Sequence, residues 1–255
     1  MRLKECNRMT RIAIIGGTGL TSIKGLEITG REIVQTPFGE PSGPLVQGLI
    51  SGHKVYFLPR HGGGHTIPPH KINYRANIWA LKQAGVEQVI AVNAVGGIRN
   101  DMQPGALVIP DQIIDYTVSR TNTFFEEGLK HVVHIDFTEP FCEKLRRSII
   151  RAAEDNGINI INEGTYAATQ GPRLETAAEI NRLEKDGCHL VGMTCMPEAA
   201  LAREQELCYA SISVVANLAA GRGEEELTMD VIDKNLNSGM ERVRKLIEKV
   251  IPTIS

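Results

Sequence analysis

The sequence predicts a single α/β domain, and three observations predict it. Short β-branched apolar runs alternate along the chain with longer stretches of helical periodicity. Several of those runs stop at glycine, proline or asparagine, as strands do where they leave a sheet. The 255 residues are 42% hydrophobic and only 5% aromatic, a composition that fits one large core better than two small ones.

Charge narrows the partners. A formal net charge of −2 and the absence of a dense Lys/Arg run argue against nucleic acid or an anionic membrane, which leaves small molecules. No apolar run approaches the roughly 18 residues of a membrane-spanning helix, and the charged N-terminus lacks a signal-peptide core, so the expectation is a cytoplasmic protein. Met9 is a candidate native start, with residues 1–8 a loose extension of the domain spanning 1–255. Cys6, Cys142, Cys188, Cys195 and Cys208 are odd in number and lack metal-ligand or CxxC spacing, so they read as reduced structural thiols.

In chain order, residues 12–15 form a buried strand that stops at Gly16-Gly17-Thr18-Gly19, a tight turn whose main-chain N–H groups suit an anion or simply a structural turn. Ser22 stands where a dinucleotide fingerprint needs its third glycine, and no Gly-Lys-Ser/Thr follows. Residues 55–58 form the next strand, ended by Pro59 before Arg60-His61-Gly62-Gly63-Gly64-His65. Arg60 offers a planar fork for phosphate and His61 a second donor beside it; the glycines make a helical zinc site at His61 and His65 implausible, so no metal is expected. Residues 71–84 carry helical spacing closed by Gly85, and 89–92 a strand ending in the glycine-rich turn Asn93-Ala94-Val95-Gly96-Gly97. Asn93 there is either a helix cap or an amide donor to the same anion.

Residues 106–116 read as a β stretch broken at Pro110, and 117–137 as a long loop carrying Phe124, Phe125, His131 and His134. Pro140 opens a helix that Gly157 closes. A strand around 166–169 precedes Gly171-Pro172-Arg173-Leu174-Glu175; helices follow at 176–185 and 197–206, with Gly192-Met193-Thr194-Cys195-Met196-Pro197-Glu198 between them. A strand at 209–215 leads to Asn217, residues 221–227 are acidic and loose, and 228–250 form a long amphipathic helix. The polar groups at these strand ends mark the ligand site, since open α/β sheets collect ligands there.

Taken together, Gly16-Gly17-Thr18-Gly19-Leu20, Arg60-His61-Gly62, Asn93-Ala94-Val95-Gly96-Gly97, Gly171-Pro172-Arg173 and the 192–198 segment resemble the trimeric purine nucleoside phosphorylases, in particular their methylthioadenosine phosphorylase branch. The resemblance spans nearly the whole chain. It implies a mixed, partly barrel-like sheet flanked by helices, a homotrimer, and phosphorolysis of a purine nucleoside with inorganic phosphate as co-substrate and no cofactor. By the same resemblance Thr18, Arg60, His61, Asn93, Ala94 and Thr194 hold phosphate. Met193, Leu174, Asn217, Leu218 and Ala219 meet the nucleoside, and His134 reaches a neighbouring subunit's site. Asn217, Arg60 and His61 carry the catalysis, which consists of aligning phosphate on C1′ and stabilising charge on the departing purine. Cys195 has no partner that would make it a nucleophile and reads as packing.

Departures from the branch pattern bear on substrate. Asn217 and Ala219 stand where adenine-cleaving relatives carry an aspartate pair, and an amide can donate to a 6-oxo oxygen and to N7. Glu175 stands where the methylthioadenosine branch has serine and the inosine and guanosine enzymes have glutamate; it either accepts from purine N1–H or belongs merely to the start of the next helix. Met229, with Ile232 a turn on, replaces the histidine that serves a ribose 5′-hydroxyl and gives an apolar 5′ pocket, unless it is ordinary helix core. The combination implies 5′-methylthioinosine as substrate, cleaved to hypoxanthine and 5-methylthioribose 1-phosphate. Inosine/guanosine or methylthioadenosine phosphorolysis is the alternative. A nucleosidase and a non-catalytic purine-binding protein are the readings from other classes.

Overall fold

The computed structural model describes residues 10–17, 27–223 and 229–255, with side chains from 235 onward in the last segment. The expectations for residues 1–8, Met9, Cys6, Thr18, Leu20 and Ser22, for 224–227, and for the side chains of Met229 and Ile232 fall outside these residues.

Among the described residues ten strands form one mixed sheet: β1 Ile12–Gly16, β2 Glu27–Glu32, β3 Leu45–Ile50, β4 His53–Pro59, β5 Gln88–Gly97, β6 Leu107–Val108, β7 Gln112–Asp115, β8 Thr165–Ala168, β9 Leu190–Gly192 and β10 Cys208–Leu218. The order is β2-β3-β4-β1-β5-β9-β8-β7, and β10 pairs with both β5 and β6. The described helices α1 Tyr74–Gln83, α2 Glu143–Asp155, α3 Ala177–Lys185, α4 Cys195–Glu204 and α5 Met229–Ile254 cover it. Alternation along β1 shows why both faces are covered: Ala13 and Ile15 join the core under α1 and α4, while Ile12 and Ile14 join the one under α2 and α5.

The central strand decides where a ligand can sit. Along one edge β5 pairs with β10 over its whole length, from Gln88 to Gly97. Along the other it pairs with β1 up to Ala91 and with antiparallel β9 only from Gly96. Among the described residues no strand covers that second edge at 92–95, so β1 and β9 diverge there and leave a crevice at the strand ends.

Several elements differ from the sequence expectation. The turn expected at 93–97 is instead the second half of β5; a Cβ at Gly97 would lie 2.0 Å from the Met102 carbonyl oxygen, so glycine serves a close approach within a strand. Helix α1 starts at Tyr74, capped by Asn73, because a 3-10 turn at Pro69–Lys71 occupies the expected first turn. Helix α2 starts at Glu143, and Pro140 lies ahead of it. The reduced-thiol expectation is overturned for Cys142 and Cys208, which form a disulfide: the Cys142 N–H donates to the Tyr209 carbonyl at 2.8 Å and so brings the start of α2 against the start of β10. Cys188 and Cys195 are free and buried. Strands β2, β3 and β9 had no counterpart among the placed elements.

Candidate active site

The crevice opens into a cavity of about 420 Å³. Its walls include Arg60 and His61 after β4, Asn93 and Ala94 of β5, and Met193 and Thr194 after β9. Leu174, Glu175, Asn217 and Ala219 close another side, and Leu236, Asn237 and Met240 of α5 a third. Nearly all the described residues predicted for the site therefore meet in one cavity, with Gly17 and His65 beside them. Leu218 is not part of the wall, and His134 is exposed on the 117–137 loop, away from its own chain's cavity. Another, more open depression of about 520 Å³, beside Arg99, Asp101 and Glu163, contains none of the predicted residues.

Local sequence explains the positions. A register shift between Val215 and Asn217 inserts Ala216 as an extra residue in β10, which re-aims the strand end where Asn217 joins the wall opposite Gly96. Ala94 is the one exposed position of β5 and faces the opening. Gly192 ends β9 where a Cβ would stand 2.1 Å from the Tyr166 hydroxyl, and Gly171, at φ +59°, passes Met193 so closely that a Cβ would fall 2.4 Å from its sulfur.

Arg60 is 1% exposed, and its fork is not free as expected. Nε and Nη2 donate to the two oxygens of Glu198 at 2.7 and 2.8 Å, and Nη1 donates to the Val92 carbonyl at 3.0 Å on the uncovered edge of β5. One hydrogen on each terminal nitrogen is left for a ligand. Glu198, in the first turn of α4, is 0% exposed and also accepts from the Tyr209 hydroxyl at 2.9 Å. Burial works to lower the Arg60 pKa, but the charge of Glu198 and the hydrogen bonds to it outweigh burial and raise it. A buried cation thus stands balanced by its own carboxylate, which offsets part of the cost of burying it. Sequence reasoning gave Glu198 no role; its signal was a carboxylate in the first turn of an otherwise apolar helix.

His61 also departs from expectation. Its Nδ1 lies 2.8 Å from the Ile67 carbonyl oxygen, which can only accept, so Nδ1 carries the proton. Burial first, and then the Arg60 charge, lower its pKa to about 4, so the ring is neutral at pH 7. The free Nε2 is then an acceptor, not the donor anticipated, and is matched to a protonated phosphate oxygen. His65 stacks on the same ring, centroids 4.5 Å apart.

Asn93 stands at the cavity but has no amide donor to spare. Its Nδ2 donates to Ser211 Oγ at 2.7 Å and to Cys195 Sγ at 3.2 Å, and its Oδ1 accepts from the Thr194 hydroxyl at 2.9 Å. Asn93 therefore fixes Thr194. Burial and the nearby Glu198 charge push the Cys195 thiol up to about 12, so it is an uncharged packing group, in line with the sequence reading. Asn217 donates one Nδ2 hydrogen to the Leu218 carbonyl at 2.7 Å, which leaves one donor and the amide oxygen for a ligand; donation to O6 and N7 together is thereby reduced to donation to one and acceptance from the other.

The 117–137 loop holds a residue that sequence reasoning missed. Arg120 spends all five N–H groups on protein oxygens. They are the carbonyls of Met193 (2.7 Å), Met196 (2.6 Å), Thr169 (3.1 Å) and Gln170 (2.7 Å), together with the Gln170 side chain (3.1 Å). It ties the loop after β8 to the loop after β9. Nothing in an aperiodic stretch marks one arginine for this.

Fold and cavity together define an α/β enzyme with a ligand site at a strand switch point, lined by one buried arginine, a neutral histidine, hydroxyl and amide groups and an apolar helix face. The chain belongs to the Phosphorylase superfamily, whose sequence profile matches residues 11–252. It is 52% identical over 243 residues to a "Probable S-methyl-5'-thioinosine phosphorylase" of Pseudomonas syringae pv. tomato, covering 95% of this chain and 99% of that one. It is 48% identical over 251 residues to the 6-oxopurine nucleoside phosphorylase of Pyrococcus furiosus, covering 96% and 94%. Methylthioadenosine phosphorylase from Schistosoma mansoni in complex with adenine superposes with a TM-score of 0.91 at 36% identity, over 96% of this chain and 92% of that one.

Proposed function

We propose that the chain is a purine nucleoside phosphorylase that cleaves 5′-methylthioinosine with inorganic phosphate, giving hypoxanthine and 5-methylthioribose 1-phosphate. The observation that carries this reading is that Glu175 and Asn217, from two separate segments, wall the same cavity as Arg60, His61 and Thr194. Phosphate is bound by the remaining Arg60 hydrogens, Ala94, Thr18 and the Thr194 hydroxyl, which turns its one hydrogen from Asn93 Oδ1 to do so, and a protonated phosphate oxygen donates to His61 Nε2. An oxygen of that phosphate forms a bond to C1′ as the C1′–N9 bond breaks, and the electron pair of that bond goes to the purine. The proton that the hydrogen phosphate gives up on becoming the sugar phosphate is taken up by the purine at N7; Asn217 Oδ1 then accepts from N7–H while its remaining Nδ2 hydrogen donates to O6. Glu175 accepts from N1–H, which adenine lacks, and leaving such a polar group unpaired costs roughly 1–3 kcal/mol.

The apolar surface of Leu236 and Met240 receives the methylthio group. Met193 lies against the ribose and Leu174, 49% exposed, against the base. The enzyme works in the cytoplasm as a homotrimer in which His134 reaches a neighbouring site. No helix among the described residues is long and apolar enough to cross a membrane. Steady-state phosphorolysis of methylthioinosine, methylthioadenosine and inosine tests the reading. Methylthioinosine is expected to have the highest kcat/KM, and the double variant Asn217→Asp/Glu175→Ser to shift preference toward the 6-amino base. Faster turnover of methylthioadenosine by the wild type, or unchanged selectivity in the variant, would overturn it, as would free sugar released without phosphate.

A further inference from the structure

Glu175 sits on a loop that gives it little other support. Leu174 beside it is exposed, and Arg173 is exposed and turned to Glu179, at 2.7 and 2.9 Å. The carboxylate nevertheless has one defined contact: the Thr169 hydroxyl donates to Glu175 Oε1 at 2.7 Å. Thr169 follows β8 directly, and its own N–H donates to the Gly192 carbonyl at 2.8 Å, so the hydroxyl stands on a point fixed to β9. The Gly192 carbonyl also lies 3.3 Å from the hydroxyl. One hydrogen cannot serve both, and the shorter, charge-assisted contact to the carboxylate is the stronger. Glu175 Oε2 takes no hydrogen bond among the described residues.

We infer that Thr169 is a positioning residue for base selection, holding Glu175 by Oε1 so that Oε2 is presented to the N1–H of a 6-oxopurine. This rests on the proposed role of Glu175 and deepens it: the unit that distinguishes the two classes of base is the Thr169–Glu175 pair. A carboxylate on a free three-torsion side chain would find N1–H only after being ordered by the ligand. Held at one oxygen, it meets the ligand already aimed. Thr169 touches neither phosphate nor sugar in this scheme, so its loss should appear in the KM for the 6-oxo nucleoside and leave the KM for phosphate in place.

The test is phosphorolysis of methylthioinosine and methylthioadenosine by the wild type and by Thr169→Val, Thr169→Ser and Glu175→Gln, with kcat and both KM values for each. Thr169→Val keeps the shape and removes the hydroxyl; it is expected to cut the 6-oxo to 6-amino ratio of kcat/KM about tenfold, the scale of one hydrogen bond to a charged group. Thr169→Ser should retain the ratio. Both substrates are measured on the same preparation, so a variant that folds poorly loses active protein without altering the ratio; Thr169→Ala supplies the same comparison if the valine variant cannot be purified. An unchanged ratio in Thr169→Val or Thr169→Ala, with a changed ratio in Glu175→Gln, would overturn the role of Thr169 alone. An unchanged ratio in Glu175→Gln as well would remove the proposed base recognition and this inference with it. Equal losses on both substrates, or a raised phosphate KM, would make Thr169 a structural residue and overturn the proposal.

Discussion

At His61 the fold sets a protonation state that has a consequence for stability. The ring is held neutral down to about pH 4, whereas in the unfolded chain it titrates near 6.5. Between those values the unfolded state binds the proton that the folded state refuses, so acidification from pH 6.5 toward 4 favours unfolding, by about 3 kcal/mol once both limits are passed. Above pH 6.5 the contribution is flat. Urea denaturation at pH 7 and pH 4.5 should therefore show a loss in the wild type that His61→Gln reduces; equal losses would place the proton elsewhere. The sequence supplied the chemistry of these residues but not their partners. Arg60, His61, Asn93 and Asn217 are at the cavity as their motifs implied, yet each has part of its hydrogen-bonding capacity committed, to Glu198, Ile67, Ser211 and Leu218. Contacts such as Arg60 to Glu198 join residues 138 positions apart, and no local pattern encodes them.

Among the elements, those with a clean period were legible and those without were not. Helices α3 and α5 could be placed from their amphipathic spacing, and the structure adds a capping box, Thr176 with Glu179, at the start of α3. Strand β2 reads Glu-Ile-Thr-Gly-Arg-Glu and lies exposed at the sheet edge, so it offers no buried alternation, while β9 is three residues long and held by its neighbours. The 117–137 stretch is irregular as expected, but it is not merely solvated: Thr123 and the Phe124 N–H bind Glu204 at 2.6 and 2.7 Å, and Arg120 clasps the loops after β8 and β9. Lysine cannot span those oxygens with one ammonium. Arg120→Lys should lower stability by about 2–4 kcal/mol by leaving carbonyls unpaired, and should raise KM for both nucleoside and phosphate, since the two loops carry groups for each. Thermal unfolding with two-substrate kinetics checks this; a stability loss with both KM values unchanged would confine Arg120 to the scaffold.

For the molecule as a whole, the Cys142–Cys208 disulfide joins the start of α2, on one face of the sheet, to the first residue of β10, across 66 residues of sequence. Closing a loop of that length in the unfolded chain contributes about 4 kcal/mol in the chain-entropy account. Denaturation with and without a thiol reductant should differ by roughly 2–4 kcal/mol, and Cys142→Ser/Cys208→Ser should abolish the difference. The architecture as a layered α/β sheet followed from alternation alone, whereas the gap in pairing along β5 did not, because it depends on where β1 leaves and β9 arrives.

That gap separates two tasks that a nucleoside phosphorylase must combine. Arg60, proposed for phosphate, is cross-braced beside the spine of the sheet by a buried ion pair, while Glu175, proposed for the base, hangs from a loop and is fastened at Thr169. A lineage of such chains can accordingly re-tune which purine it accepts by exchanging a few loop side chains, and leave the machinery that grips the anion untouched.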